Sequence, residues 1–266
     1  MQLSHRVLKL AESETLAMSR RANELKEKGV DVINMSLGEP DFKTPDFIKR
    51  AAKEAIDKDF SYYTPVPGYK DLQTAICKKF KRDNGLDYQP NQIVTSTGAK
   101  QSIINVIMAI VNPGDEVILP APYWVSYSEM VSLFEGTVVE ASTGIETDFK
   151  ITPALLEKYL NPKTKAFLFS SPCNPTGTTY TEKELRALGE VFKKFPNVVI
   201  ISDEIYEHIN FIEKHESIAQ FPSIKERVIL INGFSKAFAM TGWRIGYLAA
   251  SKEIASACEK MQGQIT

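Results

Sequence analysis

The feature that most constrains this fold is a regular alternation of short apolar runs with segments of helical periodicity. The apolar runs are rich in Val, Ile and Leu, as residues 198–202 and 228–231 illustrate. Such runs predict strands buried on both faces, and helices between them predict parallel pairing. Strands are expected at residues 93–97, 115–119, 137–140, 166–169, 198–202, 228–231 and 245–249. We therefore predict an α/β fold in which helices sandwich a mainly parallel sheet of about seven strands.

Helices are predicted in the intervals between these strands and ahead of the first one. They are expected at residues 13–28, 45–58, 71–84, 102–111, 127–134, 153–160 and 181–194. Thr181 and Glu184 form a capping-box pattern at the start of the last of these helices. Residues 30–35 predict one further short strand near the N-terminus. The segments 37–42 and 62–69 contain Gly and Pro residues that predict loops.

Composition narrows the class of protein. The 266 residues include 32 basic and 33 acidic side chains, for a net charge of −1, so charge gives no reason to expect nucleic acid or a membrane as a partner. The three cysteines form no C-x-x-C pair, which favours a reducing compartment. The start at Met1 lacks the apolar core of a signal peptide, and no apolar run approaches the ~20 residues of a membrane span. We expect a soluble, cytoplasmic protein.

Candidate site residues lie where predicted strands end, which is where ligands bind in parallel sheets. Gly98, Asn174, Asp203 and Lys236 each follow a strand. A lysine at such a position can lose water, which lowers its pKa and makes the amine nucleophilic. A surface lysine is the simpler alternative. Beside it, a hydroxyl and a guanidinium could hold a phosphate, and the residues that supply these groups are Ser235 and Arg244.

Several of these residues have two interpretations. Asp203 follows an apolar run, so its carboxylate needs a partner, which could be a cationic ligand or a core Arg or Lys. Asn174 could cap its own turn or donate to a ligand oxygen, as could the hydroxyl of Tyr206. Trp124 could stack on a flat ring or pack in the core. Together they provide an amine, a partner for a ring nitrogen, donors for a ring oxygen and a phosphate cup, which is what a pyridoxal phosphate (PLP) site requires.

Seven segments of the chain resemble motifs of the class I and II aminotransferases, which are fold-type I PLP enzymes. The similarity is greatest to the bacterial aspartate aminotransferase subgroup. The segments are L-G-E-P-D-F (37–42), Y-T-P-V-P-G (63–68), T-G-A-K-Q (97–101), P-Y-W-V-S-Y (122–127), S-P-C-N-P-T-G (171–177), S-D-E-I-Y (202–206) and S-K-A-F-A-M-T-G-W-R-I-G-Y (235–247). The nucleotide-binding glycine motifs and the G-x-S-x-G motif of serine hydrolases are missing.

The resemblance implies a role for each matching residue. Lys236 would bind the cofactor aldehyde covalently and later move a substrate proton. Asp203 would pair with the ring nitrogen, Tyr206 and Asn174 would hydrogen-bond the ring oxygen, and Trp124 would stack on the ring. The phosphate would be held at Gly98, Ala99, Lys100, Ser235 and Arg244. Tyr63 would reach the phosphate of the neighbouring subunit, which implies a homodimer with shared active sites.

The resemblance also implies a reaction and its substrates. The amino group of L-aspartate would pass to 2-oxoglutarate by ping-pong kinetics, giving oxaloacetate and L-glutamate. Gly38, Trp124 and Asn174 would contact the substrate, while Lys100 and Ser13 would recognise its side-chain carboxylate. Prephenate-accepting members tend to carry a lysine near the position of Ala11, so alanine there favours aspartate. The alternatives are an aromatic or prephenate aminotransferase, a C–S lyase, or a non-catalytic PLP-binding module.

The resemblance implies two parts of unequal size. We expect residues 1–41 to form an N-terminal arm and small-domain segment, and residues 42–266 to form the PLP-binding large domain. Members of the family are longer, and their C-terminal portion carries most of the small domain and the arginine for the substrate α-carboxylate. We therefore expect the chain to be a fragment of a longer enzyme, and we name no residue for that arginine. A truncated protein with a partial site is the alternative.

Overall fold

The computed structural model describes residues 2–12, 14–211 and 214–266, and it centres on one seven-stranded sheet. The strands are β1 (Ile93–Ser96), β2 (Glu116–Ala121), β3 (Thr137–Ser142), β4 (Thr164–Ser170), β5 (Val199–Asp203), β6 (Val228–Gly233) and β7 (Gly246–Ala249). Their order is β1-β7-β6-β5-β4-β2-β3. Strand β7 runs antiparallel to both of its neighbours, and the other adjacent strands pair in parallel. The predicted mainly parallel α/β sheet is confirmed.

The seven predicted helices lie close to their predicted positions, and the described residues contain two more, His5–Lys9 and Lys252–Gln262. They are α1 (His5–Lys9), α2 (Glu14–Glu27), α3 (Asp46–Asp57), α4 (Lys70–Lys79), α5 (Ala99–Ile110), α6 (Ser126–Leu133), α7 (Pro153–Tyr159), α8 (Glu182–Lys193) and α9 (Lys252–Gln262). Helix α4 continues into a π-helical turn, Phe80–Asn84, which Gly85 ends with a φ of +68°. Helix α5 begins three residues before its predicted start, because Gly98 adopts a φ of +85° and turns the chain straight from β1 into the helix.

Two hydrophobic clusters cover the two faces of the sheet. One cluster packs side chains of α4, α7 and α8 against one face, with Ile200 of β5 and Leu230 of β6. The other packs α5, α6 and α9 against the opposite face, with Ile201 and Ile231. Successive strand residues point to opposite faces. The near-continuous apolar runs of the sequence are therefore explained by burial on both sides.

Two local predictions have different outcomes. The capping box of α8 is confirmed, because the Thr181 N–H donates to Glu184 Oε2 at 2.7 Å and Thr181 Oγ1 accepts from the Glu184 N–H at 3.3 Å. The predicted strand at 30–35 is wrong, since these residues are irregular and Ile33 and Met35 are 86% and 88% exposed. A strand needs a neighbour for its backbone groups, and no described strand lies beside this segment.

The topology collects the candidate residues at one edge of the sheet. The parallel strands β1, β2, β4, β5 and β6 all end there, and the antiparallel strand β7 begins there. In sheets of this kind that edge is where ligands bind. Among the helices of the described residues, none combines the length and the apolar composition needed to cross a lipid bilayer.

Candidate functional site

Lys236 lies three residues beyond the end of β6, and its side chain is half-buried. Its Nζ donates a hydrogen bond to the carbonyl oxygen of Gly38 and lies 5.7 Å from the centre of the Tyr206 ring. Burial lowers the pKa of Lys236; the Glu39 carboxylate opposes this shift and Arg244 adds to it. A lowered pKa raises the fraction of neutral amine, which is the nucleophilic form.

Asp203 is the last residue of β5 and is only 4% exposed. One carboxylate oxygen accepts from the Tyr127 hydroxyl at 2.7 Å, and the other accepts from the Ile205 N–H at 3.2 Å. Burial raises the pKa of Asp203 to about 6, although both of these hydrogen bonds lower it. In the part of the chain that the structure describes, no Lys or Arg forms an ion pair with it. The described residues therefore offer Asp203 no Lys or Arg partner, and the cationic ligand stays a prediction.

Tyr127 is a residue of this site that the sequence did not single out. It lies in the first turn of α6, is fully buried, and donates its hydroxyl hydrogen to Asp203. Its ring meets the ring of Trp124 edge-on, with centres 5.5 Å apart. The only signal was its place at the end of the P-Y-W-V-S-Y segment. The sequence could not tell which aromatic residue of that segment turns inward.

Tyr206 and Asn174 lie beside Asp203 and contact each other. Burial raises the pKa of Tyr206, the nearby Asp203 raises it further, and a side-chain hydrogen bond with Asn174 lowers it. Asn174 is half-buried in the loop that follows β4. Its amide is therefore directed to a side chain of the site. The two residues offer polar hydrogens to a ligand oxygen at this edge of the sheet.

The N-terminus of α5 forms a corner suited to an anion. The amides of Ala99 and Lys100 open the helix, where N–H groups lack helical acceptors and the helix dipole is positive. Arg244 lies against Gly98, and a β-carbon on Gly98 would overlap the guanidinium. A β-carbon on Gly246 would likewise overlap the backbone of residues 98 and 99. Both glycines are needed for β7 and Arg244 to approach the helix end.

The Arg244 guanidinium frames this corner, and Ser235 is the second candidate donor. Arg244 adopts a φ of +56° and donates from Nη1 to the Thr241 carbonyl at 2.8 Å, so its guanidinium is fixed in place while remaining exposed. Ser235, immediately before Lys236, is buried. A hydroxyl, a guanidinium and free amides are the donors that phosphate prefers in proteins.

Lys100 and Trp124 form a cation–π contact, with Nζ 4.9 Å from the ring centre. Burial lowers the pKa of Lys100, and Arg244 lowers it further. Beside Lys100, a cavity of about 660 Å³ opens between α5, α6 and residues 10–12, which follow α1. Lys100 is therefore not an isolated surface lysine, although it keeps an exposed face.

The remaining predicted residues are spread more widely. Gly38 contacts Lys236 through its carbonyl oxygen. Its neighbour Glu39 accepts a hydrogen bond from the Thr241 hydroxyl at 3.0 Å, which ties the 37–42 loop to the Lys236 segment. Tyr63 is fully exposed. Ser13 lies outside the described residues.

These residues match the parts of a PLP molecule in four respects. The buried Asp203 carboxylate has no counter-charge among the described residues, so it can accept a protonated ring nitrogen. The glycine-lined corner has donors for a phosphate, and Tyr206 with Asn174 has donors for a ring oxygen. The amine of Lys236 can react with an aldehyde. The arrangement can therefore hold a phosphorylated pyridine aldehyde. The roles that the resemblance implies for these residues have a chemical basis here and remain predictions.

The raised pKa of Asp203 predicts that Asp203→Asn changes stability with pH in the cofactor-free protein. The folded pKa of about 6 exceeds the unfolded value, which is about 3.9 for an aspartate. The stabilising contribution of protonated Asp203 to the wild-type free energy of unfolding is thus lost as pH rises from about 4 to about 6, and it stays lost above pH 6. The variant cannot ionise, so its free energy of unfolding relative to wild type should rise by about 1–3 kcal/mol between pH 4 and pH 8.

Urea unfolding at both pH values measures this difference. Asp57→Asn, on the exposed surface of α3, is the matched control for the chemical change. An Asp203→Asn effect of equal size at pH 4 and pH 8 would contradict the assignment.

Comparison with known proteins agrees with this geometry. A family model described as aminotransferase class I and II matches residues 30–266. The aspartate/prephenate aminotransferase of Cereibacter sphaeroides is 50% identical over 99% of this chain and 66% of its own length. The bifunctional aspartate aminotransferase and glutamate/aspartate-prephenate aminotransferase of Petunia hybrida is 47% identical over 99% of this chain and 55% of its own.

Solved structures give the same result. The aspartate aminotransferase from Rhizobium meliloti superposes with a TM-score of 0.96 at 41% identity, covering 100% of this chain and 67% of that one. The aspartate aminotransferase from Thermus thermophilus with maleate gives 0.96 at 40% identity, covering 100% and 69%. The chain spans about two thirds or less of the curated relatives described above, 66% and 55% of their lengths. The expected resemblance is confirmed, and the chain belongs to the class I and II aminotransferases.

Proposed function

We propose that this protein is a PLP-dependent aminotransferase that moves the amino group of L-aspartate to 2-oxoglutarate. The main support is the buried carboxylate of Asp203, which has no cationic partner in the part of the chain that the structure describes and lies at the same sheet edge as the desolvated amine of Lys236. Membership of the family supports the reaction class. The names of relatives and of similar solved structures support aspartate as the amino donor.

PLP, when bound, supplies an aldehyde that takes up an amino group and a ring that accepts electrons from the substrate Cα–H bond. Lys236 would hold the cofactor and, once displaced by the substrate amine, carry a proton between carbon atoms. Asp203 would keep the ring nitrogen protonated, with Tyr127 orienting its carboxylate. Tyr206 and Asn174 would donate to the ring oxygen.

The remaining predicted site residues would bind and orient the cofactor. The amides of Ala99 and Lys100, the Ser235 hydroxyl and the Arg244 guanidinium would hold the phosphate. Trp124 would stack on the ring, which also excludes water from that face. Gly38, Trp124 and Asn174 would contact the substrate.

Substrate choice rests on Lys100. Its ammonium group lies at the rim of the site, beside a cavity of about 660 Å³. It would pair with the side-chain carboxylate of aspartate, and Ser13 would assist it. The printed names of relatives that include prephenate support a prephenate aminotransferase as the second candidate. A C–S lyase remains the alternative of a different reaction type.

Lys100→Ala tests both the reaction and the donor. Wild-type protein with aspartate should form oxaloacetate only when 2-oxoglutarate is present. The variant should raise KM for aspartate about tenfold and change KM for phenylalanine or alanine less than about twofold, because only aspartate loses a charge partner. Lys252→Ala, also a first-turn helix lysine, is the matched control.

Pyruvate and ammonia released from one amino acid alone would indicate a lyase instead. Equal KM effects on all donors would refute the role of Lys100 and leave the reaction type standing. Prephenate accepted as efficiently as oxaloacetate would favour the second candidate.

The fully exposed Tyr63 supports a homodimer with shared sites. Tyr62 and Phe60 nearby are also exposed, at 84% and 62%, and apolar exposure of this kind is typical of a protein interface. Tyr63 would reach the phosphate bound to the partner subunit. Sedimentation velocity tests this, since we expect a dimer at micromolar concentration, and a monomer with bound cofactor would contradict it. The three free cysteines support a cytoplasmic location.

A further inference from the structure

The turn that follows β5 carries polar residues with two different sets of partners. Asp203 contacts Tyr127, and Tyr206 contacts Asn174, at the candidate site. Glu204 and Glu207 contact neither of these groups. They are buried, at 1% and 6% exposure, although no proposed step of the reaction uses them.

Glu204 is held by three hydrogen-bonding side chains. One of its oxygens accepts from the hydroxyls of Ser202 and Ser217 at 3.0 and 2.8 Å. The other lies 3.0 Å from Nε2 of His215. The Glu204 N–H donates to the Ile231 carbonyl at 2.8 Å, which extends the pairing of β5 with β6 by one residue. Glu204 therefore fixes the start of the turn.

Glu207 is fixed from a different part of the fold. It forms an ion pair with Lys79, the last residue of α4, and both side chains are largely buried. His208 Nε2 lies 2.8 Å from the same carboxylate, and Asn84 Nδ2 donates to its other oxygen at 3.3 Å. Burial would raise the pKa of Glu207, but the His208 and Lys79 contacts outweigh it and lower the pKa to about 2. The Glu207 carboxylate is therefore ionised around neutral pH.

A buried ion pair is a costly way to stabilise a fold. Two apolar side chains of similar volume often do as well or better, because the desolvation of both charges is avoided. An ion pair with further hydrogen bonds does, however, fix the orientation of its side chains, which apolar contacts do not. Tyr206 is the chain neighbour of Glu207, so an anchor at residue 207 also limits where the Tyr206 side chain can point.

We propose that the Glu207–Lys79 pair is a positioning device for Tyr206. By holding residue 207 to the end of α4, the pair keeps the Tyr206 hydroxyl directed at the site. The ring of His208 also meets the ring of Phe238 at 6.3 Å, so the same anchor reaches the segment that carries Lys236. The inference rests on the proposed function, because it takes the ring oxygen of PLP as the acceptor of the Tyr206 hydrogen bond.

The test is a spectroscopic pH titration of the protein with lysine-bound PLP. A hydrogen bond from Tyr206 stabilises the anionic ring oxygen, so its loss makes the lysine-bound cofactor easier to protonate. Glu207→Gln should raise the pKa of this absorption change by about half a unit or more, in the same direction as Tyr206→Phe. Lys79→Arg, which keeps the charge, should titrate close to wild type.

A double variant separates positioning from stability. Glu207→Met with Lys79→Met leaves no unpaired charge, so it should fold and bind PLP while still showing the shifted titration. Glu190→Gln, in the exposed pair with Lys193 on α8, is the matched control and should titrate as wild type.

Two results would overturn the inference. One is a wild-type titration in Glu207→Gln or in the double variant while Tyr206→Phe shifts. The other is loss of folding in the double variant, which would make the pair a requirement of the fold and not of Tyr206. A wild-type protein that forms no lysine-bound cofactor would instead contradict the proposed function.

Discussion

The rest of the candidate site depends on how the buried charge of the Asp203 carboxylate is offset. A charge at the end of a central strand, covered on both faces, costs several kcal/mol unless a partner offsets it. The protein offers it two hydrogen bonds, from Tyr127 and from the Ile205 N–H, and no described cation. The pKa of about 6 is the result. Within the described residues the Asp203 carboxylate is thus left without a cation, and a protonated ring nitrogen of the proposed cofactor would supply one.

The order of the strands explains why the buried carboxylate of Asp203 lies at the same sheet edge as the amine of Lys236. Strand β5 pairs with β4 on one side and β6 on the other, so Asp203 has the Asn174 loop and the Lys236 segment as its neighbours. The antiparallel strand β7 returns to the same edge, and Gly246 lets it pack on the N-terminus of α5. Backbone pairing of the strands therefore places the Lys236 amine, the Asp203 carboxylate and the N-terminus of α5 at one edge of the sheet. This placement needs no specific side-chain contact. The buried pairs at Glu204 and Glu207 then hold the turn after β5 from its far side.

Much of this arrangement could be predicted from the sequence, because strand burial and helix starts are local properties. The runs around residues 200 and 230 predict strands, and the rule that ligands bind at strand ends predicts Asp203 and Lys236 as site residues. Tyr127 could not be predicted, since its role depends on how α6 packs against β5. The segment at 30–35 has the pattern of a strand but no described strand beside it, and pattern alone cannot supply one. Two partners of Glu207, Lys79 and Asn84, lie more than a hundred residues away in the chain, so no local signal marks them.

The proposed function requires that the amine of Lys236, and no other amine of the chain, takes the aldehyde of pyridoxal phosphate. The most direct test is to mix the protein with one equivalent of the cofactor, reduce with borohydride and map the modified peptides by mass. We expect one stable adduct, on the peptide that contains Lys236, because that amine is desolvated and because the N-terminus of α5 and Asp203 would bring the aldehyde to it. Label spread over exposed lysines such as Lys193 and Lys252, or no label at all, would contradict it.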